Sequence, residues 1–173
     1  MDDRDGFRQF VVSRQRGLLR TAWLLVGDWA SAEDLVQATL LKVWSRWPRV
    51  AEWEGTGGGV DGYARRVLLS IHLGWRRRGW NSEHPTAVLP DRAVLPPPTT
   101  YEERHVVSGA VRSLPPRQRA VIVLRYFDDL TERDTAAALG CSIGTVKSQT
   151  SKAMESLRRH PDLSSFDLEG SHR

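Results

Sequence analysis

The stretch Leu130–Arg159, LTERDTAAALGCSIGTVKSQTSKAMESLRR, decides the reading of this chain. It predicts two short helices around a tight turn. Thr131 is suited to cap the first, and Asp134 stands three residues later in a weaker form of the capping box. Ala137, Ala138 and Leu139 supply apolar surface, and Gly140 ends the helix. Cys141 bridges the turn and Ser142 caps the second helix. Val146, Thr150, Ala153 and Leu157 then fall near one face at steps of three and four, with Met154 widening it. Lys147, Ser148, Ser151, Lys152 and Glu155 fall largely away from that face. A helix that packs by one side and offers Lys, Ser and Lys on the other fits a DNA major groove, with the first helix as a brace. Two short helices around a glycine turn also occur in bundles without a DNA partner, so the pattern alone leaves both readings open.

The charge distribution narrows the choice. The 173 residues carry a formal net charge of +4. Residues 1–80 hold 13 Lys+Arg against 9 Asp+Glu, and residues 107–160 hold 9 against 5, whereas residues 81–106 hold 2 against 4. Two basic blocks separated by an acidic stretch are expected where both blocks meet a polyanion. Cys141 is the single cysteine, which excludes an internal disulfide and a cysteine-rich metal site and agrees with a reducing, cytoplasmic setting. The start MDDRDGF is not that of a signal peptide, and no apolar run approaches the roughly 20 residues of a membrane span. The histidines are scattered, with no metal-ligand pair at i,i+4 and no Ser-His-acid arrangement. The expectation is a non-enzyme without a cofactor or bound metal.

Taken in order, Phe7 to Gly27 predicts an amphipathic helix. Phe7, Phe10, Val11, Leu18, Leu19, Ala22 and Leu25 face the core, and Arg8, Arg14, Arg16 and Arg20 face outward. Ser31 is expected to cap a second helix running to about Trp47 and ended by Pro48. Leu35, Val36, Leu40, Val43 and Trp44 form its buried side, while Glu33, Asp34, Gln37 and Lys42 stay outside. Residues 48–60 read as a glycine-rich loop; no GK[ST] follows, so it is not a nucleotide-binding loop. Asp61 to Arg78 predicts a third helix, with Tyr63, Val67, Ser70, Ile71 and Trp75 at helical spacing. Five arginines and no acids lie between Gly62 and Ser82, with His72 and three aromatics among or beside them. Arginines can hold phosphates and aromatics can stack on exposed bases, though Tyr63 and Trp75 serve equally as core. Pro85, Pro90 and Pro96-Pro97-Pro98 mark a linker over 81–104. Helices follow over Glu102–Leu114 and Pro116–Tyr126, and Phe127–Leu130 turns into the opening pair. After His160 the polar tail, 161–173, is expected to fray into disorder.

The expected fold is therefore all-α: two small helical domains, at 1–80 and 105–160, joined by a Pro-rich linker, the second carrying a helix-turn-helix. Three segments carry a family resemblance. AEDLVQATLLKVWSRWPRV (Ala32–Val50), YARRVLLSIHLGWRRR (Tyr63–Arg78) and SLPPRQRAVIVLRYFDDLTERDTAAALGCSIGTVKSQTSKAMESLRR (Ser113–Arg159) stand in the order found in sigma-70-type RNA polymerase sigma factors. The chain resembles their short extracytoplasmic-function (ECF) group, and within it the actinobacterial SigE-like subfamily.

That resemblance implies roles for particular residues. The first domain would be region 2, with Glu33, Asp34 and Gln37 contacting the beta-prime clamp helices of core RNA polymerase. The family often has an acid where this chain has Ala38. Arg65, Arg66, Ser70, Arg76 and Arg77 would grip the minus-ten element and its non-template strand after melting, with Ser70 where relatives commonly have asparagine. The second domain would be region 4, near the beta flap, with Lys147, Ser148, Ser151 and Lys152 facing the groove of the minus-thirty-five element and Thr145 and Gln149 reaching its backbone. Many relatives have arginine at the position of Gln149. Promoter DNA and core polymerase are the expected partners, with an anti-sigma factor as a further one. The implied function is a sigma factor that brings core polymerase to promoters and assists melting. The competing reading is a free-standing helix-turn-helix regulator that binds duplex DNA as a dimer.

Overall fold

The structure is a computed structural model that describes residues 3–52, 58–77 and 101–163, and every regular element there is helical. Helix α1 (Asp3–Val26) starts ahead of the predicted Phe7, because Asp3 and Asp5 place carboxylates in its first turn, at the positive end of the helix dipole. Gly27, at φ 94°, closes it. Helix α2 (Trp29–Trp44) is capped by Asp28 and not by Ser31. The Asp28 carboxylate accepts the Ser31 amide at 2.8 Å, so Ser31 falls inside the first turn. The helix stops at Trp44 and not near Trp47. Pro48 does not end it; it lies in the first turn of α3 (Trp47–Val50), where its missing N–H costs no hydrogen bond.

Helix α4 (Gly59–Arg77) follows the glycine loop, of which residues 53–57 lie outside the described residues. Most of the predicted linker also lies outside them, but its last four positions, 101–104, belong to α5 (Tyr101–Ser113). Helix α6 (Pro116–Ile122) runs on through a π-helical turn, Val123–Phe127. The helix-turn-helix consists of α7 (Glu132–Leu139) and α8 (Ile143–Arg158). The tail expected from 161 begins with a folded 3-10 turn, Pro161–Leu163, whose Leu163 is buried. No helix among the described residues is long and apolar enough to cross a membrane.

The local chemistry of the helix-turn-helix is close to the sequence reading. The Thr131 hydroxyl accepts the Asp134 amide at 3.1 Å, and the Ser142 hydroxyl accepts the Thr145 amide at 3.1 Å. Gly140 sits in the left-handed region at φ 64°. The apolar face of α7 is displaced by one position: Thr135 and Ala136 are buried, whereas Ala137 is exposed. Cys141 packs against the small cluster of Val121, Ala136 and Val146.

The two halves do not keep separate cores. One apolar cluster joins Leu24, Leu25, Leu35 and Leu68 of the first half to Leu114, Ile122, Leu124 and Leu157 of the second. Small helical units bury only a modest share of their surface alone, and a common core enlarges it. Each fully buried leucine contributes about 2 kcal/mol relative to exposure. Helix α1 is the shared element, packing on α2 and α4 on one side and on α5, α6 and the π-turn on the other, while α7 lies against α4.

Candidate promoter and polymerase interfaces

The site residues expected from the sequence fall on three helices, α8, α2 and α4, and a buried polar cluster lies beside them. On α8, Val146, Ala153 and Leu157 turn inward, and that fixes the opposite face. Lys147, Ser148, Ser151 and Lys152 are all exposed there, at the i, i+1, i+4, i+5 spacing of one helical strip. Gln149 and Thr145 are half-buried at its edge, and the Thr145 hydroxyl lies 2.9 Å from that of Ser142. Lys147 reaches back to Glu132 at 3.7 Å, linking α8 to the start of α7. Both ends are solvated, so this pair adds little to stability.

The second strip is on α2. Leu35, Val36, Thr39 and Val43 are buried, which leaves Glu33, Asp34 and Gln37 exposed one turn apart. The strip continues into apolar surface: Trp44, which the sequence assigns to the buried side, is 41% exposed, and Leu41 is 69% exposed. Trp44 packs on Phe7 at 4.9 Å between ring centroids, but only by one side. Arg4, Phe7, Gln37, Leu40, Leu41 and Trp44 line an open groove of about 520 Å³.

The third strip is on α4. Ser70 is exposed, while Arg65 and Arg66 are half-buried. Helical geometry sets Arg66, Ser70 and position 77 along one line, with Arg65 about 100° away from it. Arg76 and Arg77 lie on the last turn of α4, with side chains outside the described residues. His72, grouped by sequence with the exposed arginines, is buried, and Tyr63 and Trp75 pack against the core.

The polar cluster was not legible in advance. Asp128 follows the π-turn, and its side chain is only 4% exposed. The Thr21 hydroxyl lies 2.8 and 2.9 Å from its two carboxylate oxygens. Arg20 reaches it at 3.5 Å and Arg65 at 3.6 Å. Arg20, predicted to face outward, also donates to the Phe127 carbonyl. Burial pushes the Asp128 carboxyl above the usual carboxylate range, opposed by the Thr21 hydroxyl and by the Arg65 and Arg20 guanidinium groups. Arg14, paired with Asp61 at 2.8 Å, stands beside the cluster across a cavity of about 150 Å³. No sequence signal could have found this site, since its members lie 107 or more positions from Asp128 along α1 and 63 away on α4.

A second long-range set meets the end of α1. Arg112 donates to the Gly27 carbonyl at 2.9 Å, and Arg119 to the Leu25 carbonyl at 2.6 Å. The last turn of α1 holds no basic residue of its own, so these two arginines supply the positive charge that its negative dipole end favours. A Cβ at Gly27 would come within 2.9 Å of Arg112 Cδ, so a side chain there would push the Arg112 side chain out of its place.

Comparison with known proteins identifies the family. The model of Sigma-70 region 2 matches residues 10–73, and that of Sigma-70, region 4 matches residues 104–157. The chain is similar to RNA polymerase sigma-E factor of Streptomyces avermitilis, at 37% identity over 94% of this chain and 88% of that protein. It is also similar to the sigma-E factor of Streptomyces coelicolor, at 35% identity over 94% and 89%, and to ECF RNA polymerase sigma factor SigM of Mycobacterium tuberculosis, at 31% over 91% and 78%. Among solved structures it resembles the sigma factor RpoE of Bartonella quintana, determined in complex with the anti-sigma factor NepR, with a TM-score of 0.69 and 26% identity over 93% of this chain and 98% of that one. With both regions in order and relatives matched over nearly its whole length, the chain belongs to the ECF group of sigma-70 family RNA polymerase sigma factors.

Proposed function

We propose that the strips on α2, α4 and α8 divide promoter recognition among them. As a sigma factor the chain directs RNA polymerase to promoters, and it has no catalytic step of its own. The α2 strip of Glu33, Asp34 and Gln37 docks on the beta-prime clamp helices of core polymerase, with Leu41 and Trp44 as its apolar extension. The α4 strip, with Arg65, Arg66, Ser70, Arg76 and Arg77, holds the minus-ten element. The α8 strip reads the minus-thirty-five element as duplex, with region 4 seated by the beta flap. Tying two modest basic readers together raises avidity through effective concentration. An anti-sigma factor is a further partner, as for the RpoE protein of Bartonella quintana. All of this takes place in the cytoplasm, without membrane insertion.

The observation that carries this reading is the α2 strip, where exposed acids run directly into exposed Leu41 and Trp44. Aromatic and aliphatic anchors ringed by polar side chains are what a protein partner buries. Size-exclusion coelution with bacterial core polymerase tests it. The full chain is expected to form a 1:1 complex, and Asp34→Arg and Leu41→Glu each to weaken it by about tenfold, equivalent to about 1.4 kcal/mol. No complex from a folded wild-type chain would instead favour the free-standing dimeric regulator. Undiminished coelution of both variants would move the docking face off α2.

A further inference from the structure

We infer that Asp128 is an interlock between the two regions, which holds region 4 across α4 in the free chain and withholds Arg65 from DNA until the regions part. The inference rests on the reading of Arg65 as a minus-ten contact. Asp128 belongs to the turn that leads into the helix-turn-helix, and its three partners belong to region 2: Arg20 and Thr21 on α1, and Arg65 on α4. The Asp128 carboxylate keeps its contacts with Thr21, Arg20 and Arg65 only while region 4 is docked. Helix α7 lies against α4 in the same closed arrangement.

The closed state and DNA binding exclude each other at one guanidinium. Arg65 Nε faces Asp128 Oδ2 at 3.6 Å. A phosphate approaching Arg65 would meet a carboxylate of like charge already seated there, and such a juxtaposition is strongly unfavourable. The clasp is also made to separate. A carboxylate out of water retains a desolvation cost that its partners only offset, so an ionic clasp releases more readily than an apolar contact of the same size. Once apart, Asp128, Arg20 and Arg65 are each restored to water, and none is left as a buried charge. The shared apolar core favours the closed form, so the parted form is the minor one in the free wild-type chain and a binder of the parted regions draws it out.

Small-angle scattering and circular dichroism on the full-length chain test the interlock, together with binding of a fluorescein-labelled single-stranded DNA oligonucleotide of mixed sequence. Asp128→Arg places a third cation against Arg20 and Arg65, and Thr21→Val removes the hydroxyl at nearly constant volume. Glu52→Arg, an exposed position away from the clasp, controls for added charge. Asp128→Arg is expected to expand the chain at unchanged helix content, and Thr21→Val to do so in part. Both are expected to bind the oligonucleotide about fivefold tighter than their charge-matched references, wild type serving for Thr21→Val, because apparent affinity scales with the competent fraction. Folded variants that both stay as compact as wild type overturn the interlock. Expansion without a gain in oligonucleotide affinity overturns the withholding of Arg65 when an Arg65→Ala holoenzyme still loses open complexes. The same result with a fully active Arg65→Ala holoenzyme overturns the minus-ten reading beneath it.

Discussion

Replacing both Lys147 and Lys152 with glutamate is expected to lower the affinity of the holoenzyme for a promoter fragment by about a hundredfold and to leave coelution with core polymerase intact. Both lysines are exposed on the α8 strip, about one and a half turns apart and clear of the buried Val146, Ala153 and Leu157. Each phosphate neutralised by a lysine contributes about 0.9 to the slope of log affinity against log salt, so the double variant is expected to flatten that slope by about two. Reversal adds repulsion to the lost attraction. Lys152→Ala alone removes one contact and costs about tenfold by the same reasoning. Loss of folding does not account for such an effect, because the pair from Lys147 to Glu132 is solvated at both ends and changes at such surface sites stay within about 0.5 kcal/mol. Equal loss of polymerase binding and promoter binding in a folded variant would remove α8 from its assigned role.

The second large effect is on stability. Leu124→Ala is expected to cost about 3 kcal/mol, since Leu124 is wholly buried and its truncation leaves a cavity. For a chain of this size that lowers the melting temperature by about 9 °C. The position matters as much as the magnitude. Leu124 lies in the π-turn of region 4, but its cluster includes Leu24, Leu25 and Leu35 of region 2. The fluorescence of Trp23 and Trp29 in region 2 is therefore expected to melt together with the overall helical signal, at the same reduced temperature. Two resolved transitions, with region 2 untouched by the substitution, would show that the common core does not couple the regions.

What could be read in advance depended on the distance between partners. The caps at Thr131 and Ser142 and the left-handed Gly140 are settled within three or four residues, and the pattern of the second half reveals them. Apolar spacing likewise located Val146, Ala153 and Leu157, and with them the exposed strip of α8. The Asp28 cap escaped because Ser31 offers an equally good local choice, and only the backbone at Gly27 decides between them. Pro48 reads as a stop in the sequence, although proline both ends and begins helices. Trp44 has the composition of core, but α1 covers only one side of it. The sequence has no mark at all for Arg20, Asp128, Arg112 or Arg119, whose partners lie up to 108 residues away. An Asp-Asp turn after an apolar helix reads as solvated in any one-dimensional view. The polymerase contacts and the assignment of each promoter element come from family resemblance, whereas the groove-facing side of α8 and the arginine cluster of α4 are legible as nucleic-acid contacts in the pattern itself.

The arginines at the end of α1 have a consequence for how the chain can be observed. Arg112 and Arg119 hold the Gly27 and Leu25 carbonyls from across the region boundary. When region 4 departs, those carbonyls lose their donors and the final turn of α1 frays toward water. Backbone amides near Trp23 to Gly27 then exchange with deuterium as a clock for the separation, with no label attached. A protection factor measured on that single turn reports the fraction of time the two regions spend together, in the free chain and beside any partner that binds one of them.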